Sequence, residues 1–70
     1  MNNIVNKTLE IAHRDKKPVI IVYMGKKEMT QRRVYIRSII DEKVTAYCTQ
    51  KKGVRIFDIQ RILSAKIADD

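Results

Sequence analysis

Two arginines six positions apart, Arg55 and Arg61, stand inside an otherwise largely apolar stretch, Val54-Arg55-Ile56-Phe57-Asp58-Ile59-Gln60-Arg61-Ile62. An arginine is costly to bury unpaired, so each needs an acceptor. A guanidinium offers five donors in a planar fork that matches phosphate oxygens. A strand-borne Arg55 and a turn-borne Arg61 can therefore converge on one anion. Arg61 has a second reading, in which it pins the turn through Asp58 or backbone carbonyls.

A second group alternates basic and aromatic residues. Arg33, Tyr35 and Arg37 share one face of an extended segment. That pattern suits a single nucleic acid strand, with phosphates on the arginines and a base on the ring. The competing reading is a solvated strand face. Tyr47 alternates away from Val44, Ala46 and Cys48, so it either joins this surface or fills the interior. Lys51 and Lys52, like Lys26-Lys27 and Lys16-Lys17, fall in connections. Lysines there are commonly just solvated, or add nonspecific, salt-dependent affinity for phosphates.

Catalytic and metal chemistry have little to stand on. His13 has no second ligand at metal spacing, and Cys48 alternates inward as a small core residue. The two glycines are isolated turn residues, not a phosphate loop. No catalytic residue, metal or cofactor is expected. The single cysteine excludes an internal disulfide and fits a reducing cytoplasm.

Those side chains need a scaffold, and composition limits it. Seventy residues make one domain, expected over 1–70, with no room for a deep cleft between lobes. Lys and Arg number 15 against 8 Asp and Glu, a formal charge of +7, which favours anionic partners. The N-terminus lacks the pattern of a signal peptide, and the apolar run Val19 to Met24 is too short to span a bilayer. A cytoplasmic location and no membrane partner are expected.

The periodicities then place the elements. Ile4, Val5, Thr8, Leu9, Ile11 and Ala12 form one stripe of an amphipathic helix over about residues 3–15, with Asn2 or Asn3 as cap. Pro18 stops the helix and opens a β-branched strand through Met24. A longer strand, Met29 to Ile40, is expected to bend. Val44 to Thr49 and Val54 to Phe57 follow, with Gly53 supplying any positive φ in their hairpin. Asp58 caps one 3₁₀ turn, and Ile62 to Ile67 closes the fold with Leu63, Ala65 and Ile67 inward. Ala68-Asp69-Asp70 is expected to fray. The fold class is mainly β: a small SH3-like or Sm-like barrel of about five antiparallel strands over 18–68, with an N-terminal helix.

At Arg55 the chain resembles a known family. Arg55-Ile-Phe57-Asp-Ile-Gln-Arg61-Ile62 is similar to the Arg-x-Phe-x-x-x-Arg-Ile signature of the WYL domain. Leu9-Glu-Ile-Ala12, Pro18-Val-Ile-Ile-Val-Tyr23, Arg32-Arg33-Val34 and Ala46-Tyr47-Cys48 look like that family's preceding elements, in order. The resemblance covers roughly residues 9 to 68. Where the family carries Trp-Tyr-Leu, this chain has Glu42-Lys43-Val44, so the aromatic part of the ligand surface is reduced. The resemblance implies a stand-alone, cytoplasmic, non-enzymatic module that regulates transcription or senses a ligand. It also implies binding of nucleic acid or a nucleotide through basic and aromatic residues.

Two function classes follow. The first is a regulatory module binding a nucleic acid strand, single-stranded by preference, or a nucleotide. Its surface is Arg33, Tyr35, Tyr47, Arg55 and Arg61, with Arg37, Lys51 and Lys52 as secondary basic contacts. The second is a protein-interaction or oligomerisation domain of Sm-like fold, pairing through barrel edge strands, with the basic charge serving an acidic protein partner or solubility.

Overall fold

The computed structural model describes residues 3–68. Helix α1, Asn3–Arg14, buries Val5, Leu9 and Ala12, one stripe at helical spacing. Ile4, expected on that stripe, is 76% exposed, because it lies a hundred degrees round the helix from Val5. The helix ends before Pro18 acts. Lys16 takes φ 56°, Lys17 N donates to Ala12 O (2.9 Å) and Lys16 N donates to His13 O (3.3 Å). That is a Schellman ending, with lysine in the left-handed position that glycine usually takes. The expected cap Asn2 lies outside the described residues.

Five strands follow: β1 Pro18–Met24, β2 Met29–Ile40, β3 Lys43–Cys48, β4 Gly53–Asp58 and β5 Ile62–Ile67. They form one antiparallel sheet in the order β4-β3-β2-β1-β5. One face carries Val19, Ile21, Val34, Val44, Ala46, Cys48, Phe57 and Ile62, and α1 lies against it to complete the core. Among the described residues no polar or charged side chain is buried in that core. Each fully buried aliphatic side chain there contributes roughly 1.5–3 kcal/mol by leaving water.

The mainly β class with an N-terminal helix is observed, but ladders do not close the barrel. β4 and β5 are the two edges of the sheet, yet only the 3₁₀ turn Ile59–Arg61 separates them in sequence. Three residues span little, so the sheet must curl enough to bring the end of β4 close to the start of β5. Side chains seal this seam. The Tyr23 and Phe57 rings meet edge to face at 5.1 Å, and Asp58 N donates to Tyr23 Oη (3.3 Å). Asp58 also caps the 3₁₀ turn, its Oδ1 accepting from Gln60 N at 3.3 Å.

Two bulges re-aim side chains. β2 slips against β3 between Ile36 and Ser38, which bends the long strand and leaves Arg37 out of register. β5 slips against β1 between Tyr23 and Val22, so Leu63 has no partner and turns outward. Leu63, expected inward, is 44% exposed, while Ile62 takes the core position. Lys52, not Gly53, supplies the positive φ of the β3–β4 hairpin, at 53°. Ala68 does not fray: its N–H donates to Pro18 O at 2.9 Å. Asp69 and Asp70 of the expected frayed end lie outside the described residues.

Candidate nucleic-acid interface

Register decides which face each basic side chain takes, because residues directly opposite in a ladder point the same way. Tyr35 pairs with Tyr47, and Tyr47 with Val54, so the tyrosines stand side by side on the outer face of the sheet. Arg33 pairs with Ile20 on that same face, and its carbonyl accepts from both Thr49 N and Thr49 Oγ1 (3.1 Å each). Arg55 pairs with the buried Ala46, so it belongs to the inner face, at the unpaired edge of β4. The five expected site residues therefore do not meet in one place.

Two grooves collect the cations. The first holds about 360 Å³ and runs from the end of α1 to the middle of β2 and β3. Tyr35, Tyr47 and Arg37 line it with His13, Lys16 and Lys17, and no carboxylate is among its described lining residues. Pro18 lies opposite Tyr35, which is why the lysines before it reach the tyrosine pair. The tyrosines offer ring faces for stacking, while Arg37 and Lys16 are exposed donors beside them.

The second groove, about 520 Å³, lies along the seam between the β1–β2 hairpin and the edge of β4. Arg32, Arg55, Lys26 and Lys27 line it against a single carboxylate, Glu28. Sequence reasoning passed over Arg32 in favour of Arg33. Strand parity was the available signal, since Arg32 lies two residues before the buried Val34 and so shares its inner face. Below it is Cys48. Burial pushes the Cys48 thiol up, but the Lys51 and Gln50 backbone N–H groups and the Arg32 guanidinium together hold it below its ordinary value.

Arg61 lies apart from both grooves, exposed on the 3₁₀ turn. Asp58 is engaged with Gln60 N and with Lys43 Nζ, the latter at 3.4 Å. Lys51 and Lys52 are exposed at the β3–β4 hairpin. Among the described residues no group of three His, Cys, Asp or Glu side chains is placed to hold a metal, and no helix is long and apolar enough to cross a membrane.

Fold and grooves together define a class: a curled five-stranded sheet with one covering helix and basic grooves at its surface. No protein-family model and no curated protein matches the sequence. Among solved structures the chain is similar to proteasome accessory factor B/C (PafBC) of Arthrobacter aurescens, with a TM-score of 0.85 and 24% identity over 93% of this chain. The chain spans 11% of the length of that protein. The likeness shows a WYL-like fold, in agreement with the resemblance carried by Arg55, Phe57 and Arg61, and it shows the fold alone.

Proposed function

We propose that this chain is a non-enzymatic regulatory module, acting in the cytoplasm, that binds a single nucleic acid strand or a nucleotide-type anion. The observation that carries the reading is the Tyr35–Tyr47 pair in a groove lined by Arg37 and Lys16 without a described carboxylate. A base stacks on the tyrosine faces, and its phosphates meet the cations around them. The seam groove with Arg32 and Arg55 gives a longer strand further phosphate contacts. Lys51 and Lys52, at the hairpin joining β3 to β4, add to the field that such a strand meets.

Fluorescence anisotropy with a labelled single-stranded oligonucleotide tests this. Binding should be tight at low salt, weaken steeply with added salt, and fall with Tyr35→Ala and Arg37→Ala. Absence of binding at low salt, or equal loss of affinity on removing any exposed lysine, would overturn it.

A second reading, pairing between copies, has support in β4. That strand is an open edge with Val54 and Ile56 exposed on its outer side. Exposed apolar edges are templates for another strand. Sedimentation over a range of concentrations tests it, and a monomer throughout would remove it.

A further inference from the structure

A third cleft shares no lining residue with either basic groove and carries the opposite charge. It holds about 1020 Å³ between the first half of α1, the β2–β3 turn, the 3₁₀ turn and the start of β5. Leu9 and Ile62 are buried at its base, and Ile4 and Leu63 stand exposed at its rim. Its described lining contains Glu10, Asp41 and Glu42 and no lysine or arginine, on a chain whose formal charge is +7.

The acidic side is held in place. Glu42 O accepts from Ile59 N (2.9 Å), and Glu42 Oε1 accepts from Gln60 Nε2 (2.7 Å). These bonds fix the β2–β3 turn against the 3₁₀ turn. Asp41 takes φ 55° there, a conformation that aspartate tolerates better than most residues. Asn6 also lines the cleft, and its side-chain oxygen is shut off from water with no hydrogen-bond partner.

We infer that this cleft docks a cationic amphipathic segment of a partner protein: aliphatic side chains on the Leu9–Ile62 floor, lysines or arginines against Glu10, Asp41 and Glu42. Charge complementarity selects this occupant. Carboxylates around an apolar floor repel phosphates, so the cleft is not a continuation of the nucleic-acid grooves. A second copy seated through the same cleft would bring two acidic linings together, which like-charge repulsion opposes. The apolar residues at the rim, Ile4 and Leu63, are those that a docked helix would cover. The inference stands whether or not the chain binds nucleic acid.

The test is a titration of the isotopically labelled chain with a synthetic helix of leucine and lysine, followed by amide chemical shifts. A leucine–glutamate helix serves as control. Shifts are expected at Glu10, Asp41, Ile59 and Leu63, from the leucine–lysine helix only. Glu10→Lys and Leu63→Ser, both at exposed positions, should each weaken binding by about tenfold, whereas Arg55→Ala should leave it unchanged. A well-dispersed spectrum of each variant shows that it is folded. Equal binding of the acidic helix, shifts confined to other faces, or unaltered affinity in both variants would overturn the inference. Concentration-dependent shifts at the cleft without peptide would assign it to a second copy and overturn it equally.

Discussion

Tyr23 of β1 and Phe57 of the edge strand β4 meet edge to face at 5.1 Å, although their two strands share no ladder. The Tyr23 hydroxyl then takes the Asp58 N–H, a donor on the outer edge of β4 that no ladder satisfies. One side chain thus stands in for part of a missing strand pair. Tyr23→Phe keeps the ring and removes the acceptor, so it should cost about 1 kcal/mol. Phe57→Ala removes both the ring contact and core volume and should cost about 3–5 kcal/mol. Urea denaturation of the two variants checks the order. A loss on Tyr23→Phe as large as that on Phe57→Ala would contradict this order.

Arg55 should act on binding through charge alone, because it is exposed and lies at an unpaired edge. Arg55→Ala should reduce the slope of log affinity against log salt by about 1, uniformly across oligonucleotide sequences. Arg61→Ala, at a turn outside both grooves, should change the slope less. Anisotropy titrations at several salt concentrations measure both.

The tyrosine pair should behave differently from the arginines. Tyr35→Ala and Tyr47→Ala should each cost about 1–3 kcal/mol of single-strand affinity while leaving the salt slope intact. Duplex of the same sequence, whose bases are already stacked, should be affected much less. Competition between single and double strands separates the two outcomes.

Cys48 should make stability depend on alkaline pH. Its folded-state pKa is held below the ordinary thiol value of 9.0, so the folded chain loses this proton before the unfolded chain does. Stability relative to Cys48→Ala should therefore rise as pH climbs from the folded pKa towards 9.0 and be fully present above it. It is lost again as pH falls through the folded pKa. Chemical denaturation of both proteins under reducing conditions, across that window, gives the difference. Arg32→Ala removes one of the groups that favours the thiolate and should flatten the rise.

Much of this was legible in the chain before any tertiary contact was known. Val5, Leu9 and Ala12 set the buried stripe of α1, and the inward parity of Val44, Ala46 and Cys48 follows from their alternation; that Tyr47 stands beside Tyr35 on the outer face took the β2–β3 register. Asp58 was readable as the cap of a 3₁₀ turn because a short carboxylate before a turn accepts the N–H two residues on. These are local matters of period and chemistry, which the residues themselves carry. Bulges and curvature are not. Leu63 turned outward because β5 slips one residue against β1, a choice made between strands far apart in sequence. Lys16, between α1 and β1, and Lys52, between β3 and β4, take positive φ because the packed elements on either side dictate the path between them. The curl of the sheet decided the rest. It brought Arg55 to Arg32 and the β1–β2 hairpin, left Arg61 on another side, and gathered Glu10, Asp41 and Glu42 round one apolar cleft. The sequence alone determined which residues could carry charge and the parity of each strand where it runs regularly; only tertiary packing decided where bulges reverse that parity and which charges share a groove, because register and sheet curvature are set by long-range pairing and not by local propensity.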